Sequence, residues 1–369
     1  MFPGRTAVTD IATRRLRAQG LTGEPFRTPV DAVRWFAAVQ SQDYAGARWA
    51  LGQRSHAATD VKLDRLFDDG AILRTHVMRP TWHFVLPRDV RWLLDLTGPR
   101  IRRGLAARYR ELELDDRVAA RAEAAFAAAL AGGRHLTRAE LGDVLVARGI
   151  SPAGQRLPHL IMHAELDALI VSGPRRGKQH TYALLEERAP NARILQRAEA
   201  VAELTLRYFR SHGPAQIQDF VWWSGLTRAD AGTGIAVAGA ALERQTIEGK
   251  DYWLDAAAPA PQAATPVAHL VPNFDEYTVG YRDRAALMHT GRPFQPGFFS
   301  FGSILSNIVT INGRVRGAWR QTVLREGVRV EIRTLDPLDP DEDAAVGDAG
   351  RRLGRFLQRP VELTAADTK

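Results

Sequence analysis

Between residues 115 and 190, apolar positions recur at helical spacing three times before the period drops to two. The pattern predicts a helix over 118–131, then a GGRHLT break in which Thr137 caps the next helix and Glu140 completes a capping box. That second helix runs to residue 147, and a third follows the RGISP turn over 155–169. LIVSG and HTYALL then read as two short strands around a basic tip, PRRGKQ. Three helices and a hairpin make the outline of a winged helix-turn-helix. The outline repeats over 191–258, with a long helix at 194–211, a second in QIQDFVWWSG, a third capped by Thr227, and a hairpin turning at Glu248-Gly249-Lys250. It fits more loosely over 1–114, with helices at 10–19, in VDAVRWFAAV and in VKLDRLFDDG, and a hairpin in AILRTHVMRPTWHFVLP turning near Arg79-Pro80.

Residues 259–369 follow another rule. APAPQAATP reads as a linker, after which alternation dominates. NIVTI, RVRGAWRQ and TVLREGVRVEIRTL are predicted strands, Asn312-Gly313 is a type I′ hairpin signal, and a helix over 342–357 and a short strand near Pro360 end the chain. The expected fold is α+β: three tandem winged helix-turn-helix modules (1–114, 115–190 and 191–258) followed by a strand-rich C-terminal domain (259–369).

With 369 residues, 45% of them hydrophobic, the chain is long enough for several domains with cores of their own. The N-terminus lacks the apolar run of a signal peptide, and no stretch approaches a membrane span, so a cytoplasmic protein with no membrane partner is expected. The absence of cysteine excludes a disulfide, a thiol nucleophile and a cysteine-ligated zinc. No HExxH or comparable grouping occurs, so neither a metal nor a cofactor is expected. A net charge of +8 favours a polyanionic partner. Arginine and alanine also accumulate in GC-rich coding sequences, so charge alone does not select nucleic acid.

The chemistry is concentrated in VQSQDY. Gln40 and Gln42 flank Ser41, and residues two apart point roughly 200° away from each other on a helix but share a face in extended chain. For the two to act together, the preceding helix must stop at about Val39, and Asp43, Tyr44 and Gly46 read as its exit into a turn. The alternative is that both amides close the helix by bonding its last carbonyls.

VQSQDY, together with LRTHVMRPTWHFVLP and LVPNFDEYTVGYRDR, resembles the winged-helix DNA glycosylase family that includes AlkZ and YcaQ. The likeness runs from about residue 10 to about residue 355, in the order of the three repeats and the strand-rich tail. Its most specific element is the conjunction of the glutamine motif, in the Gln-x-Gln form closer to AlkZ, with an MR-x-T-x-H hairpin carried by Met78, Arg79, Thr81 and His83. Pro80 stands where glycine is expected.

The resemblance implies N-glycosidic hydrolysis of N7- or N3-alkylated purines in double-stranded DNA. The sequence leaves open whether the target is a monoadduct, a bulky adduct or an interstrand crosslink, and whether the setting is DNA repair or antibiotic self-resistance. Such purines are cationic and depart without prior protonation. What remains is to hold a water and stabilise an oxocarbenium-like sugar, which amide oxygens can do. Gln40 and Gln42 are assigned jointly to that task. Asp43 is the competing base, or a cap or a partner for Arg48, and His83 is a supporting imidazole or a structural one.

Arg79 is a candidate for holding the lesion strand, and Arg175, Arg176 and Lys178 at the second wing tip suit phosphate contact; otherwise the tip is a solvated turn. Arg314 and Arg316 share a strand face and would probe a groove or simply pack. Trp82 and Phe84 read as core of the first module, and Trp222 and Trp223 as core of the third. Asp275 and Asp283 are assigned to a domain junction. With Lys62, Lys178, Lys250 and Lys369 as the only lysines, Schiff-base chemistry has few amines to draw on, which favours a water-using, monofunctional enzyme. A monomer, nucleoid-associated when bound, is expected. The rival readings are a non-catalytic winged-helix DNA-binding protein, for instance a transcriptional regulator, and a protein-interaction scaffold.

Overall fold

The computed structural model describes residues 4–259, 266–288 and 307–365. Most of the APAPQAATP stretch lies outside the described residues. The chain opens with α1 (Gly4–Ala18), α2 (Pro29–Phe36), β1 (Ala38–Gln40), α3 (Tyr44–Gly52), α4 (Asp60–Asp68), β2 (Leu73–His76) and β3 (Trp82–Val85). There follow α5 (Val90–Glu111), α6 (Asp116–Leu130), β4 (Leu136–Thr137), α7 (Arg138–Ala147), α8 (Arg156–Leu166), β5 (Ile170–Ser172), β6 (Thr181–Leu184) and the single turn α9 (Leu185–Arg188). Next come α10 (Arg197–His212), α11 (Ile217–Ser224), α12 (Arg228–Ala238), β7 (Leu242–Ile247) and β8 (Lys250–Asp255). The last group is β9 (Ala268–Val271), the turn α13 (Glu276–Val279), β10 (Ile308–Ile311), β11 (Arg314–Val323), β12 (Val328–Thr334), α14 (Pro340–Leu357) and β13 (Val361–Ala365). The chain divides into two compact units, one of residues 1–63, 202–223 and 227–369, the other of residues 64–201 and 224–226.

In the second unit, α6, α7, α8 and the β5–β6 hairpin appear in the predicted order. The capping box at α7 is complete: Thr137 Oγ1 accepts from Glu140 N at 3.3 Å, and Glu140 Oε2 accepts from Thr137 N at 2.7 Å. β6 lies between β4 and β5, and Phe126, Leu130, Leu141, Leu145 and Ile170 close the core beneath them. The β2–β3 hairpin pairs Thr75 with His83 and His76 with Trp82. α5 is a 22-residue helix that the hydrophobic pattern did not predict; it runs through Pro99 and buries Trp92, Leu93 and Leu94. Among the described residues no helix is long and apolar enough to cross a membrane.

The first unit carries the strand-rich tail as a five-stranded sheet in the order β13-β12-β11-β10-β9, antiparallel except where β13 runs parallel to β12. Asn312 (φ 49°) and Gly313 (φ 77°) make the two-residue turn, with Ile311 opposite Arg314 as a type I′ hairpin requires. A side chain at Gly313 would meet Tyr277 Oη at 2.4 Å, so glycine is needed there for space as well as for backbone angle. α14 starts on a capping box between Asp339 and Glu342 and buries Val346, Leu353 and Phe356.

Three expectations change here. α2 ends at Phe36, three residues before the predicted stop, because Ala37 takes φ 69° and turns the chain out of the helix. Residues 44–52 then form α3 rather than a turn, since Asp43 caps it and its side chain accepts from Gly46 N at 3.1 Å. Trp223 is core as expected, but Trp222 is 44% exposed, with the Arg284 guanidinium 5.8 Å from its ring centroid.

His269, on β9, is 2% exposed; burial, helped by Arg352, pushes its pKa down to about 3, while Nε2 lies 2.8 Å from the Leu21 carbonyl oxygen. An imidazole neutral in the folded state but titrating near 6.5 when unfolded contributes stability that is present above pH 6.5 and lost as pH falls toward 3. Lowering the pH from 7.5 to 5.5 should therefore cost about 1.4 kcal/mol from this residue. Urea midpoints at the two pH values check it: His269→Gln should show a shallower pH dependence, and an unchanged one would refute the assignment.

Candidate active site

The Gln-Ser-Gln segment is held at both ends by helix termini. Thr28 and Pro29 start α2, with Thr28 Oγ1 accepting from Asp31 N at 3.2 Å. After Ala37 the chain is extended through β1, and it bends at Gln42 and Asp43 into the cap of α3. A side chain at Gly46 would lie 3.0 Å from Asp43 Oδ2 and 3.3 Å from Pro272 Cβ, so any larger residue in the first turn of α3 would press against the capping side chain and Pro272. The bend ends the alternation that a longer strand would impose. Gln40 is 7% exposed, Ser41 fully buried, and Gln42 exposed.

Glu276 anchors this segment, and sequence reasoning had not singled it out. It is 1% exposed, and its Oε1 accepts from the Gln40 backbone N–H at 2.6 Å across 236 residues of chain. Its Oε2 accepts from Trp223 Nε1 at 2.8 Å and lies 3.3 Å from His212 Nε2. His212 is fully buried, stacks on Tyr208 with ring centroids 4.5 Å apart, and has Nδ1 2.8 Å from Ser211 Oγ. Burial lowers the His212 pKa below its ordinary value against the opposing pull of Glu276, so the ring is held neutral.

Asp275, next in the chain, accepts two bonds from the buried Arg54 guanidinium, at 2.6 and 2.8 Å, and caps α13 through Tyr277 N. Arg54 also donates to the Gln19 carbonyl and to Gln19 Oε1, each at 3.0 Å. NFDEY therefore supplies two buried acids with different tasks: Asp275 ties α3 to the tail, and Glu276 fixes the backbone at Gln40. The available signal was the pair of adjacent acids inside an apolar run, because buried carboxyls need committed donors. Asp283 accepts from Lys250 Nζ at 3.0 Å.

Asp43 is spent on the cap of α3, and Arg48 pairs with Asp60 at 2.8 Å. The hairpin residues belong to the second unit. His83 is fully buried, with Nδ1 2.9 Å from the Thr81 carbonyl oxygen, and Arg79 sits half-buried in a turn in which its carbonyl accepts from Thr81 N. Phe84 is core, whereas Trp82 is only partly buried, packed on His76 at 4.4 Å and lying under the Arg74 guanidinium at 4.3 Å.

At the wing tip, Arg175 is held by Asp64 at 3.0 Å and Asp68 at 3.1 Å, while Arg176, bound to Glu140 at 2.6 Å, and Lys178 are exposed. Arg316 makes two bonds to Glu342, at 2.5 and 2.9 Å, and Arg314 donates to the Met288 carbonyl at 2.9 Å. Among the described residues, Glu123, His163 and Asp167 bring metal-type ligand atoms within 4.8 Å of one another. These are tied into ion pairs, His163 with Glu123 and Asp167 with Arg102.

The family model described as DNA glycosylase AlkZ-like matches residues 33–356. Among solved structures, the Streptomyces sahachiroi DNA glycosylase AlkZ is similar in fold, with a TM-score of 0.72 and 22% identity over 96% of this chain and 99% of that one. Among curated proteins no match is found. The family match spans the glutamine segment, the Met78–His83 hairpin motif, the Glu276 anchor and most of the strand-rich tail, and the chain belongs to the AlkZ-like DNA glycosylase family.

Proposed function

We propose that the protein is a monofunctional glycosylase that hydrolyses the N-glycosidic bond of cationic N7- or N3-alkylated purines in duplex DNA, bulky adducts included. The observation that carries the reading is the Gln40 backbone bond to buried Glu276, which holds an amide-bearing segment rigid while the nearest acid in sequence, Asp43, is used as a helix cap. In the reaction the C1′–N bond breaks, and its electron pair neutralises the purine cation. A water held by Gln40 and Gln42 adds its oxygen to C1′ and releases a proton to solvent. The amide oxygens stabilise the positive sugar by dipole and hydrogen bond and never change protonation. The exposed Arg176 and Lys178 supply phosphate contacts, with Arg79 as a further candidate at the hairpin turn.

Because a cationic base carries its own activation, single-turnover release of N7-methylguanine should be nearly flat from pH 6 to 9, and uracil should be released poorly or not at all. Measuring both lesions across that range is the test. A bell-shaped profile or efficient uracil release would transfer catalysis to a titrating residue such as Asp43 or His83. No release from either lesion, with tight binding to one operator sequence, would instead favour a regulator.

A further inference from the structure

A cleft of about 780 Å³ lies in the first unit at the C-terminal end of α3. Trp49 and Phe356, with ring centroids 5.2 Å apart, are among its apolar lining residues, and Lys62, Arg352 and Arg355 supply its charge. Among the described residues no carboxylate lines it. Several arginines elsewhere are instead matched by acids, as in Arg316–Glu342, Arg320–Glu331 and Arg48–Asp60. Here Lys62 Nζ donates to the Ala57 carbonyl at 3.0 Å and Arg352 to the Ala268 carbonyl, and neither they nor Arg355 has an ion pair among the described residues. Burial chiefly lowers the Arg352 pKa, Asp348 opposes the shift, and the adjacent Arg355 charge adds to it, a cost that a bound anion would relieve. On the same wall, Gln53 Nε2 and Ser55 Oγ have no hydrogen-bond partner among the described residues.

We propose that this cleft receives the phosphodiester backbone of DNA about four base pairs from the nucleotide held at the Gln-Ser-Gln segment. The spacing comes from α3 itself, whose first turn follows Gln42 and whose last turn forms the cleft wall. Nine residues at 1.5 Å each span about 13 Å. The placement takes α3 to lie along the duplex axis, where phosphates on one strand advance about 3.4 Å per nucleotide, so that length covers about four of them. The position relative to the lesion rests on the glycosylase reading, whereas the cleft's affinity for backbone does not.

Anisotropy titrations of an undamaged 20-base-pair duplex between 50 and 200 mM KCl test the contact without requiring catalysis. Each lost phosphate contact makes log K less steep in log salt by about 0.9, so the Lys62→Ala/Arg355→Ala double variant should be shallower than wild type by about 2. Arg325→Ala, which removes one exposed charge on the β11–β12 turn, is the control and should shift the slope by less than about half as much. A double variant with the wild-type slope, or with no larger change than the control, overturns the proposal. So does tight binding of free dAMP to the wild type with no slope difference between wild type and double variant on duplex, which would mark a small-anion pocket. Hydroxyl-radical footprints on a duplex with one N7-methylguanine fix the position. Protection about four nucleotides from the lesion should vanish in the double variant, and loss elsewhere or nowhere would refute the placement. If wild type releases no base from the N7-methylguanine duplex while the slopes change as expected, the glycosylase reading fails and the backbone contact stands.

Discussion

Replacing either Gln40 or Gln42 by alanine should slow single-turnover release of N7-methylguanine by about 10²–10³-fold, the loss typical of removing one preorganised polar group from a transition state. Duplex affinity should stay within a few fold, because the proposed work of these amides is done on the water and the developing sugar cation. Their settings differ: Gln40 is largely buried on a strand end and Gln42 is exposed. Gln40→Ala thus also opens a small cavity, and its thermal midpoint should fall slightly while that of Gln42→Ala should not. Release at the wild-type rate in both variants would remove the glutamines from the mechanism. Asp43→Asn should cost less, since an asparagine side chain still accepts from Gly46 N and keeps the cap. A loss as deep as that of the glutamine variants would make Asp43 the base.

The second large effect belongs to Glu276. Glu276→Ala removes the acceptor for the Gln40 N–H and the Trp223 Nε1–H and strips His212 of its neighbour, all inside a fully packed interior. A buried donor left without a partner costs about 1–3 kcal/mol, so the variant should lose about 3 kcal/mol or more of folding stability. Glu276→Gln keeps the shape and one acceptor oxygen and should retain more of it. To separate positioning from folding, release is measured well below each variant's unfolding midpoint, where the protein is folded. There Glu276→Gln should still be slowed, with kcat falling more than KM rises, because one amide oxygen cannot take the place of both carboxylate oxygens that accept from the Gln40 N–H and the Trp223 Nε1–H. Full activity at a normal midpoint would show that Glu276 is a packing residue only.

Much of the secondary structure could be read from the chain because the relevant interactions are local. The capping box at Thr137 and Glu140 and the type I′ turn at Asn312-Gly313 use residues within three positions of each other, and both occur where predicted. The drop from helical to alternating period likewise marks the five-stranded sheet. The break after α2 was visible, but its position was not, because Ala37 has a side chain that gives no warning of a positive φ. α3 was missed for a related reason. Gly46 reads as a turn residue, yet it lies in the first turn of α3 close to Pro272, which is 226 positions away.

The candidate site divides in the same way. Two amides either side of one serine could be read from QSQ alone, and the sequence by itself determined that this segment is flanked by a helix end and an acid able to cap, whereas the bend at Gln42 came with the fold. Only the tertiary structure decided which buried acid holds it, since the bond from Gln40 N to Glu276 joins residues 236 apart. It also decided which arginines are free to meet a ligand. Arg175 and Arg316 sit in exposed-looking turns and strands by sequence, yet the fold brings Asp64, Asp68 and Glu342 to them. Spacing reports what a backbone will do over a few residues. A carboxyl or guanidinium taken out of water instead takes whichever partner the packing of distant elements delivers, and the strength of that demand is why these long-range pairs, rather than the local motifs, set the geometry of the site.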